Sequence, residues 1–264
     1  MRPLTEFPRA ARARIRGVLC DIDDTLTTDG HLTAAAYAAL EKLQRAGMRV
    51  VPITGRPAGW CDHIARMWPV DGVVGENGAF YFSYDHTARA MRRRFVDDEM
   101  ARAAKRLRLA AVRDRILAAV PGCAPSGDQH YREADLAIDY CEDVPRLPAA
   151  EVDTIVSLMR QAGLTAKVSS IHVNGWFGDY DKLSMTRTLV RECFNADLDA
   201  CKDKFVFAGD SPNDAPMFAY FPHAVGVANI TAFAGRLAAE PAYVTQAASG
   251  AGFCELVDFL LAAR

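Results

Sequence analysis

The apolar positions of the chain recur at two spacings that take turns along it. RGVLCDI is an apolar run closed by a charge, which predicts a strand, and LTAAAYAALEKLQRAG follows with apolar residues at helical spacing up to a stop at Gly47. MRVVPITG predicts a second strand, GWCDHIARMWP a second helix and DGVVGEN a short third strand. AFYFSYD then alternates aromatic residues with others, again in the manner of a strand. Strands and helices in alternation predict an α/β fold on a parallel sheet.

From Asp85 the texture changes. DHTARAMRRRFVDDEMARAAKRLRLAAVRDRILAAV is charged, dense in arginine and helix-prone, so a boundary is expected near this point. A Gly- and Pro-rich break, PGCAPSGD, precedes a strand-like ADLAIDY, a helix from about Pro148 to Ala162 and one long strand pattern, TAKVSSIHVNGWFG. These pieces predict a small α+β unit at residues 85–179, inserted between two parts of the core, 1–84 and 180–264. The core pattern resumes with a helix in KLSMTRTLVRECF, a strand in KFVFAGD, a short helix in APMFAYF and a strand in HAVGVAN. A closing helix, GFCELVDFLLAAR, carries an apolar stripe for the core.

Half of the 264 residues are apolar, enough for a sizeable core. The 31 Lys and Arg against 33 Asp and Glu leave a formal charge of -2, with no general attraction to nucleic acid or an anionic membrane. The arginine-rich stretch lacks interleaved aromatics and is expected to be a solvated helix face. The segment MRPLTEFPRAARARIRG has no signal-peptide core and no run is long enough to span a bilayer, so a soluble, cytoplasmic protein is expected. The seven cysteines, Cys20, Cys61, Cys123, Cys141, Cys193, Cys201 and Cys254, show no zinc-like spacing and are expected as reduced, mostly structural thiols. Cys20 is expected to face the core.

One stretch resists a purely structural reading. VLCDIDDTLT crowds Asp21, Asp23 and Asp24 at the end of a buried strand, where acidic residues can also simply start a helix. Three further fragments end elements in reactive polar groups: Thr54, Gly55 and Arg56 in VVPITGRP, Asp210, Ser211, Asn213 and Asp214 in FVFAGDSPNDAPMF, and Lys182 in DYDKLSM. Ligands of open parallel sheets bind beyond the carboxyl ends of the strands, so the four fragments are expected to meet in one crevice. Clustered carboxylates offer hard oxygen ligands to Mg2+, while Thr, Lys and free N–H groups suit phosphate. Asp21, last on its strand, is then the candidate nucleophile toward phosphorus, once Mg2+ and Lys182 reduce the repulsion between anions. Asp23 is placed to protonate the leaving oxygen and later to activate water. Arg56 either contacts substrate or pairs with a surface acid.

DIDDT, ITGR, the isolated Lys182 and GDSPND, in that order, resemble the four motifs of the haloacid dehalogenase (HAD) superfamily of phosphohydrolases. The similarity extends to ENGAFYF (Glu76 to Phe82) and AVGVANI (Ala224 to Ile230), and the insertion looks like the C2-type cap of the Cof-like, type IIB branch. The resemblance covers nearly the whole chain and implies a Rossmann-like parallel-sheet core with an α+β cap. It implies Asp21 as the residue phosphorylated in turnover, Asp23 as general acid and base, and Thr54 and Lys182 as phosphate ligands, with Gly55 and Arg56 beside them. It implies Mg2+ at the Asp21 carboxylate, the Asp23 carbonyl and Asp210. Asn213 would help bind phosphate or substrate, and Asp214 would orient Lys182 or water on the metal. One departure is Asp24, where many relatives carry Gly.

The activity so implied is a Mg2+-dependent phosphatase for a small phosphorylated metabolite, a sugar phosphate first, since relatives with this cap often take one. A phosphomutase of the phosphomannomutase type is the nearest rival. A phosphorylation-controlled signalling or binding protein is another, although receiver domains are shorter and phosphorylate a middle strand. Alternation in SSIHVNGWFG puts Ile171 and Val173 on one face and His172, Asn174 and Trp176 on the other, which turns either to water or to the crevice. In the latter case its imidazole, amide and indole can select a sugar. Arg56, Glu76 and Asn77 are the next candidates for selectivity. No motif encodes the substrate or the oligomeric state.

Overall fold

The computed structural model describes residues 1–264. β1 (Arg2–Pro3) and the short α1 (Arg9–Arg12) lead into β2 (Gly17–Cys20), a small hairpin of β3 (Thr27–Thr28) and β4 (His31–Leu32), and α2 (Ala34–Arg45). β5 (Arg49–Pro52), α3 (Ala58–Met67), β6 (Val73–Gly75), β7 (Phe80–Asp85) and β8 (Ala90–Phe95) follow. The cap comprises α4 (Glu99–Ala119), β9 (Ala124–Pro125), β10 (Asp135–Asp139), α5 (Ala149–Gln161), β11 (Thr165–Val168) and β12 (His172–Trp176). The chain re-enters the core at α6 (Lys182–Phe194), then α7 (Leu198–Cys201), β13 (Phe205–Gly209), α8 (Ala215–Tyr220), β14 (Ala224–Gly226), β15 (Tyr243–Val244) and α9 (Ser249–Leu261). No helix is long and apolar enough to cross a membrane.

The core sheet runs β1-β15-β14-β13-β2-β5 with every pair parallel, and an Ile53 to Val74 bridge continues it into the antiparallel set β6-β7-β8. Its central strands are buried on both faces, as their unbroken apolar runs require. Successive residues serve opposite faces. Val18, Cys20, Val50 and Val206 pack with Phe253 and Leu256 of α9, whereas Leu19, Val51, Phe205 and Phe207 pack with Leu189 of α6 and Phe218 of α8. Cys20 therefore lies in the core, as its strand position implied. This sandwich fixes the carboxyl ends of β2 and β13 side by side.

The cap is an antiparallel sheet, β11-β12-β10-β9, covered by α4 and α5. Leu136, Ile138 and Val173 face the helices; Asp135, His172 and Asn174 face the core domain and are nonetheless buried.

Two expectations need correction. Residues 90–95 form a strand, not the start of a long helix, so position 85 lies at the end of β7 and the chain leaves this sheet only after β8. Pairing along β7 overrides helix propensity there, and Arg92, Arg93 and Arg94 give an edge strand the exposed charge that discourages further pairing. The long strand expected at 165–177 is two strands. The Ser169 hydroxyl accepts the His172 N–H (3.0 Å) while the Ser169 N–H bonds to the His172 carbonyl (2.9 Å), closing a hairpin turn between β11 and β12. Ile171 consequently sits in the turn and borders the crevice instead of joining Val173 under the helices.

Candidate active site

Beyond β2 the ladder continues for one bond, from the Asp21 N–H to the Ala208 carbonyl (2.9 Å). The chain then folds back on itself, the N–H groups of Thr25, Leu26 and Thr27 all reaching the Ile22 carbonyl. Asp24 takes φ +56° in this turn, the left-handed region that suits glycine and that Asp tolerates better than most side chains. The Asp24 departure from the family pattern is thus accommodated locally.

Lys182 opens α6, whose first turn is closed by a capping box between Asp181 and Ser184. The turn Glu76 to Gly78 packs against it so closely that a Cβ at Gly78 (φ +108°) would stand 2.0 Å from the Asp181 carbonyl oxygen. Glycine is required there. The buried Lys182 ammonium donates to Asp21 Oδ1 and Asp214 Oδ1, each at 2.8 Å. Asp214 Oδ2 accepts the Asp210 N–H (3.2 Å), so both its oxygens are engaged and it orients its neighbours. Asp210 accepts from the Thr25 hydroxyl (3.2 Å) and from Asn229 (3.4 Å), which also donates to the Asp24 carbonyl (3.1 Å).

Charge in this cluster does not balance. Oxygens of Asp21, Asp210 and Asp214 all lie within 4.8 Å of one another, all three residues are buried, and one ammonium faces them. Burial pushes Asp21 up to about 7, with Lys182 opposing and Asp214 and Asp23 reinforcing the shift. Burial, then Asp21 and Asp214, push Asp210 well above the usual carboxylate range, while burial of Lys182 is outweighed by the two carboxylates that raise it. A divalent cation would relieve that excess, and hard carboxylate oxygens suit Mg2+. The donor set therefore fits the ion. The Asp23 side chain stands outside this group.

Asp23 is instead gripped by Arg56, whose Nε lies 3.0 and 3.1 Å from the two carboxylate oxygens and whose Nη2 lies 2.8 Å from Oδ1. Arg56 is no surface residue: it is buried, reaches Asp128 (3.3 Å) and Glu142 (2.7 Å) of the cap, and stacks 4.4 Å over the Trp60 ring. Thr54 is wholly buried, its hydroxyl accepting the Arg56 N–H (3.0 Å), and Gly55 and Arg56 form the crevice wall in front of it. Asn213 borders the crevice and accepts from the Ser211 hydroxyl (2.7 Å). Between Asp21, Arg56, Asn213 and the cap residues Ser170, His172 and Asn174 the free space is about 10 Å³, room for about one water.

The cap face is neither solvated nor uniform. His172 Nε2 stands 2.8 Å from Glu142, and Asn174 donates to Asp135 (3.2 Å). Burial alone would raise Glu142, but His172 and Arg56 hold it down at about 2. Trp176 shares their side of β12 yet lies beyond the crevice. Its ring stacks on Tyr180 in the core cluster and its N–H bonds to the Tyr180 carbonyl (3.1 Å), so it serves packing rather than the crevice.

The cap residues that bind cap to core gave no local sequence signal. Arg132, buried between Asp128 (3.0 Å) and Asp135 (2.9 Å), donates to the Gly55 carbonyl at 2.8 Å. Glu76, fully buried, accepts the N–H groups of Ala58, Glu133, Ala134 and Asp135. Asn77 also turns toward Asp135 at 3.5 Å, so Glu76 and Asn77 belong to the domain junction. Thr25 and Asn229 could have been read from DIDDT and AVGVANI; Asp128, Arg132, Asp135 and Glu142 are isolated polar residues of the cap.

The sequence profile described as haloacid dehalogenase-like hydrolase matches residues 18–108. Among curated proteins no sequence match was found. A solved structure from Thermoplasma acidophilum superposes with a TM-score of 0.69 at 18% identity, covering 94% of this chain and 98% of that one. A phosphatase of the haloalkanoate (HAD) superfamily from Bacteroides thetaiotaomicron gives 0.61 at 18%, with 96% and 97% covered. Sucrose-phosphatase from Synechocystis sp. PCC6803, solved with sucrose and phosphate, gives 0.59 at 16%, with 92% and 97% covered. At such identities the likeness is one of fold. Over residues 18–108 the chain is thus similar to the haloacid dehalogenase-like hydrolases, and over nearly its whole length it shares the fold of these solved structures.

Proposed function

We propose that the chain is a Mg2+-dependent phosphatase acting on a small phosphorylated metabolite. The observation that carries this reading is the buried arrangement of Asp21, Lys182 and Asp214, with Lys182 at 2.8 Å from both carboxylates and Asp210 against them. In the first step an Asp21 oxygen bonds to phosphorus as the bond from phosphorus to the leaving oxygen breaks, and Asp23 gives that oxygen a proton. The products are an alcohol and an aspartyl phosphate. In the second, Asp23 takes a proton from water whose oxygen attacks phosphorus, releasing inorganic phosphate and restoring Asp21. Arg56 must yield Asp23 for either transfer, and Lys182 offsets charge on Asp21 and the phosphoryl group throughout. Bound at Asp21, the Asp23 main-chain carbonyl and Asp210, Mg2+ would supply further charge neutralisation.

The resemblance of the motifs puts a sugar phosphate first among such metabolites, while the likeness to sucrose-phosphatase is one of fold and does not by itself select the substrate. The test is phosphate release from a panel of phosphorylated metabolites, sugar phosphates included, with Mg2+ and with chelator. Metal-dependent release of free phosphate is expected. Transfer between sugar positions without release would favour a mutase, and no turnover of any member with Mg2+ present would overturn the proposal.

A further inference from the structure

Beside the narrow crevice lies a second hollow of about 570 Å³, within the size range of small-molecule sites. Its floor is Ile22, Leu32 and Ile64 and its walls are the rings of Trp60, Trp68 and Tyr131, contributed by the turn after β2, the β3–β4 hairpin, α3 and the cap. Asp23 borders both spaces, and no other residue does. A Cβ on Gly59 would stand 2.9 Å from the Tyr131 Cβ, so glycine at this position lets the cap ring lie directly on α3 beside Trp60. Trp60 and Tyr131 remain 42% and 50% exposed, rings held open where most of the large apolar side chains are covered.

We infer that, on the phosphatase reading, this hollow receives the leaving group, and that the leaving group is an aromatic or apolar alcohol rather than a polyhydroxylated one. The oxygen that Asp23 protonates must sit beside Asp23, and the carbon attached to it must continue into a space that Asp23 borders. The crevice has room for about one water; the hollow has room for a ring system. Its lining selects among ring systems. Asp23 is held by Arg56, and the Thr27 hydroxyl is spent within its own turn, accepting from the Asp24 N–H (3.0 Å) and donating to the Ile22 carbonyl (3.2 Å). His63 and the polar edges of the rings are what remains for a ligand's hydroxyls, whereas a flat apolar group meets aromatic faces and an aliphatic floor. Hydroxyls turned onto these faces find few partners, which counts against a sugar.

Two measurements test this, one independent of turnover. Two of the three tryptophans line the hollow, so titration with 2-phenylethanol should change tryptophan fluorescence saturably, and Tyr131→Ala should weaken that binding at least about fivefold. In the presence of Mg2+, kcat/KM for 2-phenylethyl phosphate should exceed that for glucose 6-phosphate by at least about tenfold, both losing a primary alkyl oxygen. The ratio should collapse toward unity in Tyr131→Ala and in Trp68→Ala. No saturable fluorescence change, a preference for glucose 6-phosphate, or a ratio unmoved by both substitutions overturns the inference while phosphate release leaves the phosphatase reading standing. Saturable binding with neither ester hydrolysed overturns the leaving-group role, whereas the phosphatase reading falls only if no member of the wider panel releases phosphate.

Discussion

Replacing Glu76 by Gln tests whether one carboxylate joins the cap to the core. Glu76 Oε1 accepts from Ala58 (3.0 Å) and Glu133 (2.9 Å), and Oε2 accepts from Glu133 (3.1 Å), Ala134 (2.6 Å) and Asp135 (3.2 Å). Every partner is a backbone donor. Gln keeps one oxygen; set where Oε2 stands, it leaves the Ala58 N–H facing an NH2 group, and the opposite flip abandons Ala134 and Asp135. One buried N–H left unpaired costs about 1–3 kcal/mol, and the surviving bonds lose their charge assistance. Against this, burial and then Asp135 push Glu76 up to about 8, so a neutral side chain also escapes part of a desolvation cost. Because an amide satisfies fewer donors in either flip, the lost bonds outweigh the relief, and a net destabilisation of about 2 kcal/mol is expected. Urea unfolding of the two proteins measures it, and faster amide exchange at Ala58 and Ala134 should accompany it. A variant as stable as wild type, within about 0.5 kcal/mol, would refute the reasoning and mean that the cost of burying the charge governs this site.

Other predictions concern the crevice. Lys182→Ala should lower kcat by roughly 10²–10³, since the only ammonium facing the reacting carboxylate is lost; an effect on KM alone would contradict its role. Asp210→Ala should raise the Mg2+ concentration needed for half activity, and an unchanged metal dependence would remove Asp210 from the ion. Glu142 is held at about 2, below its ordinary 4.5, so its contribution to stability is full above pH 4.5 and is lost as pH falls through about 2. The stability gap between wild type and Glu142→Gln, present at neutral pH, should therefore close over that window in parallel acid titrations; a gap independent of pH would deny Glu142 its ion pairs.

Much of the core was legible because a buried parallel strand writes itself as an apolar run, and a run closed by polar residues marks the edge where ligands bind. Asp21, Lys182, Asp210 and Asp214 meet in the fold as their places at element ends require. The cap was harder. Arg92 to Arg94 look helical until β7 offers them a partner, and the Ser169 turn depends on one hydroxyl. Alternation correctly separated Val173 from His172 and Asn174, but it could not tell that Trp176, two residues further along the same face, passes the end of the crevice. Contacts such as Glu142 to Arg56 or Arg132 to Gly55 join residues 86 and 77 positions apart, and no local pattern encodes them.

The central claim is that Asp21 forms the bond to phosphorus, and phosphate release by Asp21→Asn at saturating Mg2+ tests it most directly. Asn has nearly the same shape but is a far poorer nucleophile, so with the fold preserved by circular dichroism turnover should fall by several orders of magnitude. A folded Asp21→Asn protein that keeps more than about a tenth of wild-type kcat, a barrier change of only ~1.4 kcal/mol, would contradict the account.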